Sequence, residues 1–431
     1  MADPKSKSLN RRHLVLGALV SPLASQAQFR VEVTGLGMAQ LPIALPVFRA
    51  EEAVPHKISA IIKADLERSG MFRTVDAAGL SVDAYSSLDQ QTWRQRGADF
   101  MVAGSIEPRA NGSFDVSFRL WDAVRAQDLG GQTYGVARES MRTAAHRIAD
   151  FIYEKLIGEK GVFATRITFV TRSASRHSLW VADADGGNAT ELLVSPNSAE
   201  PIISPAWSPS GSQLAYVSFE SRKPDIYVWD MQTRRASLMA SFRGSNSAPA
   251  WSADGRSIVA TLSRDGGSQI YAIDAVLRGE PKRLTQSNSI DTEPVCSADG
   301  RWIYFVSDRG GSPQIYRMGP AGGSAEWIST GQRYSISPAI SPDGRYLAFI
   351  ARIDGAFKLH LMDLTSKAVR PLTDTAADES PSFSPNGRLI LYATQNQGRS
   401  VLMTTTLDGR KDVLMGQNGS VRDPQWGPFA A

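Results

Sequence analysis

The chain has 431 residues, with 47 Lys and Arg against 43 Asp and Glu, a formal net charge of +4. Its 42% hydrophobic and 21% charged residues exclude an intrinsically disordered protein, and 36 Gly and 23 Pro favour many short strands joined by tight turns. Because four basic residues and one acid lie in residues 1–27, the rest is nearly neutral, which argues against a nucleic-acid binder.

Residues 1–27 have the pattern of a secretory signal peptide. A paired arginine at 11–12 precedes an apolar run at 14–20, and small residues stand at the −3 and −1 positions of a cut between Ala27 and Gln28. The run is too short to span a bilayer, and we expect no direct membrane insertion elsewhere. The protein is therefore expected outside the cytoplasm, and the arginine pair leaves the general secretory and twin-arginine routes both open.

Residues 28–39 form a short segment between the predicted signal peptide and the first predicted domain. Apolar and polar side chains alternate loosely at its start, and two glycines then interrupt the pattern. We interpret the segment as a mobile N-terminal arm that could add as a strand to a partner. Its candidate binding residues are Phe29, Arg30, Val31, Glu32 and Val33.

Residues 40–160 predict a small α/β domain. Apolar residues recur with helical spacing in two stretches, each of which ends near a glycine, Gly70 or Gly158. Other stretches alternate apolar and polar side chains or are flanked by prolines, as strands are. The predicted strands cover 42–48, 100–106 and 114–120, and the predicted helices cover 58–66 and 140–157.

Residues 162–431 contain a repeat of about 44 residues. Each of five complete units begins with a proline, a large residue, a serine and an Asp-Gly, Asn-Gly or Ser-Gly pair, and three further apolar runs come after them. We expect the Asp-Gly pairs to form two-residue type I′ hairpin turns between the first and second strands of each unit. Four strands per unit at this period predict blades of a β-propeller. The repeat prolines are Pro205, Pro249, Pro294, Pro338, Pro381 and Pro424.

The two ends of the repeat region predict how the ring closes. The stretch before Pro205 matches strands two to four of a unit, and Pro424-Gln425-Trp426 matches a lone first strand. Pairing the two fragments would complete a sixth blade and remove the open sheet edges that a solenoid would leave. The predicted fold is mainly β, a six-bladed propeller preceded by the small α/β domain.

The residues just before the repeat prolines are predicted to be loops that converge from all six blades on one mouth of the central channel. Such loops are either solvated turns or a ring that captures a loop or peptide of a partner, and the sequence leaves both interpretations open. The candidate residues are Ser204, Asn246, Ala248, Thr292, Glu293, Ser337, Glu379, Ser380 and Asp423.

The sequence offers no catalytic set. It has no Gly-x-Ser-x-Gly elbow, dinucleotide-binding glycine pattern or P-loop, and no two histidines after residue 27 are spaced as a zinc pair on a helix would be. Cys296 stands at a packing position of its repeat, which favours a buried, inert thiol. We expect no enzymatic activity, cofactor or metal, although a small ligand in the channel stays an open alternative.

The order of signal peptide, small α/β domain and six repeats resembles the TolB family of the Tol–Pal system of Gram-negative bacteria. Stretches such as Ile61–Gly70, Gly97–Ser105 and Phe219-Glu220-Ser221 add to the resemblance, which covers nearly the whole mature chain.

The resemblance implies a non-enzymatic periplasmic adaptor. It would bind the lipoprotein Pal at the channel mouth, and its arm would bind the C-terminal domain of TolA, with arm docking coupled to Pal occupancy. The system would support outer-membrane integrity and constriction in cell division. We expect a monomer. Among the channel candidates, the resemblance favours Asn246, Ala248, Thr292 and Glu293.

Overall fold

The computed structural model describes residues 40–174, 176–195, 200–416 and 419–429. The predicted signal peptide, its cleavage site at Ala27 and Gln28, and the predicted arm at 28–39 lie outside the described residues.

The N-terminal domain is built on a five-stranded sheet with the order β3-β1-β5-β6-β7, in which β1 runs parallel to β3 and β5. The predicted strand at 42–48 is two strands, because Pro46, which has no N–H to donate, lies between them. The elements are β1 (Leu41–Ala44), β2 (Val47–Phe48), α1 (Ile58–Arg68), β3 (Phe72–Val75), β4 (Ser81–Val82), α2 (Gln90–Gln95), β5 (Phe100–Pro108), β6 (Phe114–Asp122), β7 (Gln127–Val136) and α3 (Met141–Ile157).

Two amphipathic helices cover one face of this sheet, as their apolar spacing predicts. Ile62 of α1 and Ile148 and Ile152 of α3 are fully buried in one core with Val116 of β6. The helix α3 ends at Gly158, whose φ of 82° is a left-handed conformation that glycine adopts without the usual steric cost. Among the residues that the structure describes, no helix is both long and apolar enough to cross a membrane.

The repeat region folds into six four-stranded sheets, numbered here as blades 1 to 6. Blade 1 holds β8 (Arg166–Arg172), β9 (His177–Asp183), β10 (Thr190–Val194) and β31 (Ser420–Trp426); blade 2 holds β11 (Ile202–Trp207), β12 (Gln213–Ser218), β13 (Asp225–Asp230) and β14 (Arg235–Ala240); blade 3 holds β15 (Asn246–Trp251), β16 (Ser257–Leu262), β17 (Gln269–Asp274) and β18 (Lys282–Arg283). Blade 4 holds β19 (Asp291–Cys296), β20 (Ile303–Ser307), β21 (Gln314–Met318) and β22 (Glu326–Trp327); blade 5 holds β23 (Ser335–Ile340), β24 (Tyr346–Ile353), β25 (Ala356–Asp363) and β26 (Val369–Pro371); blade 6 holds β27 (Glu379–Phe383), β28 (Leu389–Asn396), β29 (Arg399–Thr406) and β30 (Lys411–Gly416).

The ring closes in blade 1, where the C-terminal strand β31 pairs antiparallel with β8, the first strand of the repeat region. Trp426 at the end of β31 is 7% exposed and lies in the core that blade 1 shares with blade 6. The predicted six-bladed propeller and its shared blade are confirmed.

The turns between the first and second strands of the blades differ from the prediction. A type I′ turn needs positive φ at both central residues, but here only the glycine, such as Gly300 with φ of 69°, is left-handed. Four residues separate Ser297 from Trp302, whose backbone N–H donates to Ser297 Oγ at 3.0 Å. Ser297 Oγ in turn donates to Asp299 Oδ1 at 2.6 Å, which explains why serine precedes the Asp-Gly pair.

The N-terminal domain sits on the face of the propeller that carries these turns. Asn386, in the first turn of blade 6, donates from Nδ2 to Lys160 O at 3.1 Å, and Arg388 pairs with Glu159. Arg142 of α3 contacts the turn after β9. Because innermost strands run from the residues before the repeat prolines toward these turns, those residues lie at the opposite face.

Candidate functional site

The innermost strands of the six blades enclose a channel of about 720 Å³. Its wall consists of six successive segments, one from each blade, and each segment begins one or two residues before the repeat proline. A cavity of this size is in the range of protein sites that take a ligand or a loop.

Each innermost strand carries a bulge next to its proline. The predicted loops are therefore wrong, because these residues lie inside the strands, where the register shifts, as it does between Ile203 and Ala206. Proline cannot donate to the ladder, and this interrupts the pairing. The residue before each proline is left-handed, with φ between 47° and 52°, although none is glycine. These six residues, which we call the bulge ring, are Ser204, Ala248, Glu293, Ser337, Ser380 and Asp423.

Seven of the nine candidate residues line the channel, namely the bulge ring and Glu379. Asn246 is instead fully buried, and its side-chain amide holds the chain between blades 2 and 3 by donating to Phe242 O at 3.0 Å and accepting from Phe242 N at 2.9 Å. Thr292 is half-buried beside the channel wall, where its hydroxyl accepts a 3.3 Å hydrogen bond from Thr261. The sequence could not separate these residues, because the bulge beside each proline decides which of its neighbours faces the channel.

Two acids of the bulge ring belong to blades that lie opposite each other. Glu293 is in blade 4 and Asp423 in blade 1, and each accepts a hydrogen bond from the backbone N–H of the bulge-ring residue in the next blade. The distances are 2.7 Å from Ser337 N to Glu293 Oε2 and 3.2 Å from Ser204 N to Asp423 Oδ2. Burial raises the pKa of Glu293, and the charge of Asp423 adds to the increase against the hydrogen bonds from Ser337.

A third acid and one arginine share the same mouth. Arg422 lies 3.8 Å from Glu379 and 3.9 Å from Asp423, measured from guanidinium nitrogen to carboxylate oxygen. Burial raises the pKa of Glu379, while Arg422 opposes the increase. Three carboxylates against one guanidinium make this mouth acidic. Arg422 belongs to the same stretch before Pro424 as Asp423, although it is not among the nine candidate residues.

The opposite half of the channel is lined by proline, alanine and aromatic side chains, among them Pro209, Ala253 and Trp207. Cys296 belongs to this lining and is half-buried, so it is less enclosed than its repeat position predicts. Burial raises the pKa of its thiol to about 12, which keeps the sulfur protonated and a poor nucleophile.

Comparisons with known proteins agree with this architecture. The family model for the TolB beta propeller domain matches residues 153–430, and the model for the TolB amino-terminal domain matches residues 29–129. The Tol-Pal system protein TolB of a Polaromonas species is 63% identical over 425 residues, which cover 98% of each chain. The protein of the same name from Bordetella pertussis is 46% identical over 417 residues, 96% of this chain and 94% of the relative.

Among solved structures, TolB from Acinetobacter baumannii superposes with a TM-score of 0.82 at 35% sequence identity, covering 91% of this chain and 98% of that one. Fold, repeat and similarity over nearly the full length agree, and the chain belongs to the TolB family of Tol–Pal system proteins.

Proposed function

We propose that this protein is a non-enzymatic periplasmic adaptor that binds the lipoprotein Pal at the acidic mouth of the propeller channel and the C-terminal domain of TolA through residues 28–39. Membership of the Tol–Pal system supports a role among the proteins of that system. The adaptor would contribute to outer-membrane integrity and to constriction in cell division. The predicted signal peptide and its cleavage after Ala27 belong to the same proposal.

The observation that carries the Pal part is the channel mouth. The bulge ring and Glu379 surround one end of an approximately 720 Å³ channel, at the propeller face opposite the N-terminal domain. A partner loop can approach this mouth without displacing that domain. Glu293 and Asp423 offer carboxylate oxygens from opposite blades, so a loop that presents N–H groups or a cation would satisfy both.

The non-enzymatic part rests on what lines the channel. The Cys296 thiol stays protonated because burial raises its pKa, and the acids of the mouth are held by backbone N–H groups of Ser337 and Ser204 or lie beside Arg422. Such contacts fix side chains for recognition. In the lining that the structure describes, the Ser380 hydroxyl donates directly to Asp423 Oδ1 at 3.3 Å rather than to a histidine base. The propeller fold of this chain and its 63% identity to a Tol-Pal system protein agree with a binding role.

Calorimetric titration of the exported protein, residues 28–431, with the soluble domain of Pal and, separately, with the C-terminal domain of TolA tests the proposal. We expect Glu293→Gln and Asp423→Asn each to weaken Pal binding by about tenfold, which is about 1.4 kcal/mol, because each removes a charge at a desolvated contact. Glu326→Gln, an exposed acid on the outer strand of the same blade as Glu293, serves as the control and should leave binding unchanged.

Removal of residues 28–39 should abolish TolA binding while Pal still binds. Absence of Pal binding by the unmodified protein would refute the Pal assignment. Equal Pal affinity in Glu293→Gln, Asp423→Asn and Glu326→Gln would place the Pal contact elsewhere. TolA binding that survives the deletion would refute the assignment of the arm.

A further inference from the structure

A cluster of buried and partly buried charged groups joins the N-terminal domain to blade 1, far from the acidic mouth. We call it the junction cluster. Its members come from two helices of the N-terminal domain and from the end of β9 with the turn after it. They are Asp65 and Arg68 of α1, Arg142, His146 and Asp150 of α3, and Asp183 and Asp185 of the propeller.

His146 is the centre of the cluster. It is 1% exposed, and its Nδ1 lies 2.6 Å from Asp65 Oδ2, a hydrogen-bond distance. Its Nε2 has no hydrogen-bond partner and lies 3.7 Å from Asp183 Oδ2 and 3.9 Å from Asp185 Oδ1. A neutral ring has one N–H and one lone pair, so one of its nitrogens would turn a lone pair toward buried carboxylates. A ring that carries protons on both nitrogens avoids this repulsion.

A metal ion in place of the second proton fits these residues poorly. Asp65, His146 and Asp185 offer donor atoms within 4.8 Å of one another, which is close enough for one cation. The guanidinium of Arg142, however, already occupies the propeller carboxylates, at 3.1 Å from Asp183 Oδ2 and at 2.5 and 2.7 Å from the two oxygens of Asp185. A divalent ion would share oxygens with this fixed cation, whereas a proton on His146 Nε2 adds no new ligand.

We propose that His146 is a clamp between the domains that is protonated at neutral pH, in which the imidazolium ties Asp65 of the N-terminal domain to Asp183 and Asp185 of blade 1 and so fixes the orientation of the two domains. The clamp crosses the junction because His146 and Arg142 project from one turn of α3 toward the propeller, while the two aspartates belong to the propeller. It gives the buried Asp65 and the partly buried Asp183 and Asp185 a common counter-ion beside the arginines Arg68 and Arg142.

The charges that face His146 determine the pH at which the clamp opens. Burial lowers the pKa of His146, but the nearby carboxylates of Asp183, Asp65 and Asp185 outweigh burial and raise it to about 10. Arg142 and Arg68 partly compensate these acids, with Arg68 Nη1 lying 3.1 Å from Asp65 Oδ1.

Asp150 faces the cluster from the next turn of α3. Burial raises its pKa to about 6, against hydrogen bonds from the backbone N–H groups of Phe163 and Ala164. Because the pKa of His146 is raised above its unfolded value of about 6.5, the stability from the clamp is fully present below that pH and is lost as pH rises through about 10.

Two-bond ¹⁵N–¹H correlation spectra of the full exported chain, labelled in histidine, test the protonation state directly. We expect both ring nitrogens of His146 to carry the imidazolium signature at pH 7.5, with a midpoint near 10 on titration. The resonance is assigned by its loss in His146→Gln. If that variant fails to fold, the substitutions His56→Gln, His177→Gln and His360→Gln assign it by elimination.

Asp183→Asn and Asp185→Asn should each lower the midpoint of His146 by more than one pH unit. His360→Gln, which removes a buried histidine inside blade 5, should leave it unchanged. Hydrogen exchange should become at least tenfold faster in residues 158–161, between the domains, in both aspartate variants but not in the control. A neutral His146 at pH 7.5, a resonance that shifts on addition of ZnCl₂ alone, or unchanged exchange in both aspartate variants would each overturn the proposal.

Discussion

Closure of the ring by the C-terminal strand can be tested at one side chain. Trp426, near the end of β31, is 7% exposed and packs among Ile167 and Phe169 of β8 and Leu391 of blade 6. Its Nε1–H donates a 2.8 Å hydrogen bond to Thr165 Oγ1. Trp426→Ala removes the indole from the one blade whose strands come from both ends of the repeat region.

The expected cost can be worked out from the burial of this side chain. Truncation of a buried Trp to Ala typically destabilises a protein by about 3–5 kcal/mol, through the lost transfer energy and the cavity that remains. The lost hydrogen bond adds about 1 kcal/mol, because the buried Thr165 hydroxyl keeps its bond to Val162 O and loses only an accepted proton. We therefore expect a loss of roughly 4–6 kcal/mol in the free energy of unfolding of the propeller.

Urea unfolding followed by near-ultraviolet circular dichroism measures this loss. Trp327→Ala is the matched control, because Trp327 is 43% exposed on the outer strand β22, where it stacks against Tyr316 with ring centroids 6.1 Å apart. The control should cost less than about 1.5 kcal/mol. If Trp426→Ala were no more destabilising than Trp327→Ala, the view that this strand closes and stabilises the ring would be wrong.

Three further predictions concern the turns and the channel. Gly387→Ala should cost about 1–2 kcal/mol because φ there is 73°, whereas Gly267→Ala, in open space without positive φ, should cost little on urea unfolding. Ser297→Ala should raise the pKa of Asp299 from about 2 toward its ordinary 3.8 in an NMR titration, since the serine hydrogen bond is the largest cause of the decrease. Cys296 should react with a disulfide reagent at pH 8 at least roughly 100-fold more slowly in the folded protein than in urea, because burial raises its pKa to about 12. An unchanged Asp299 pKa, equal costs at the two glycines, or equal reaction rates would contradict the respective argument.

The repeat made the propeller predictable, because a similar pattern of prolines and turn residues recurs in every blade with a period of about 44 residues. The two incomplete ends, before Pro205 and after Pro424, indicated the shared blade, and the pairing of β31 with β8 confirms it. The α/β domain has no repeat, yet helical spacing was enough for α1 and α3. Its parallel pairing of β1 with β3 and β5 depends on contacts far apart in sequence, which no local pattern reports.

The candidate site was predictable at the level of position and less so at the level of side chains. The proline of each repeat locates the channel wall in all six blades. Which neighbour of the proline faces the channel depends on the bulge. No residue pattern indicates the bulge, and none indicates that a serine, alanine, glutamate or aspartate before the proline adopts a left-handed conformation. Asn246, two residues before Ala248, therefore looked equivalent to a channel residue, although its side chain is buried against Phe242.

The repetition of the bulge separates what the fold requires from what binding requires. A left-handed residue other than glycine costs on the order of 1–2 kcal/mol, and strained residues often mark functional sites. Here the strain occurs six times, on Ser, Ala, Glu and Asp alike, with nearly the same φ. A ligand that contacts one sector of the channel would not select the same strain in every blade, so the bulge belongs to the architecture. What breaks the sixfold symmetry is the pair of opposed acids, Glu293 and Asp423, together with Glu379 and Arg422. If the mouth binds a partner as proposed, selectivity for that partner would come from these side chains.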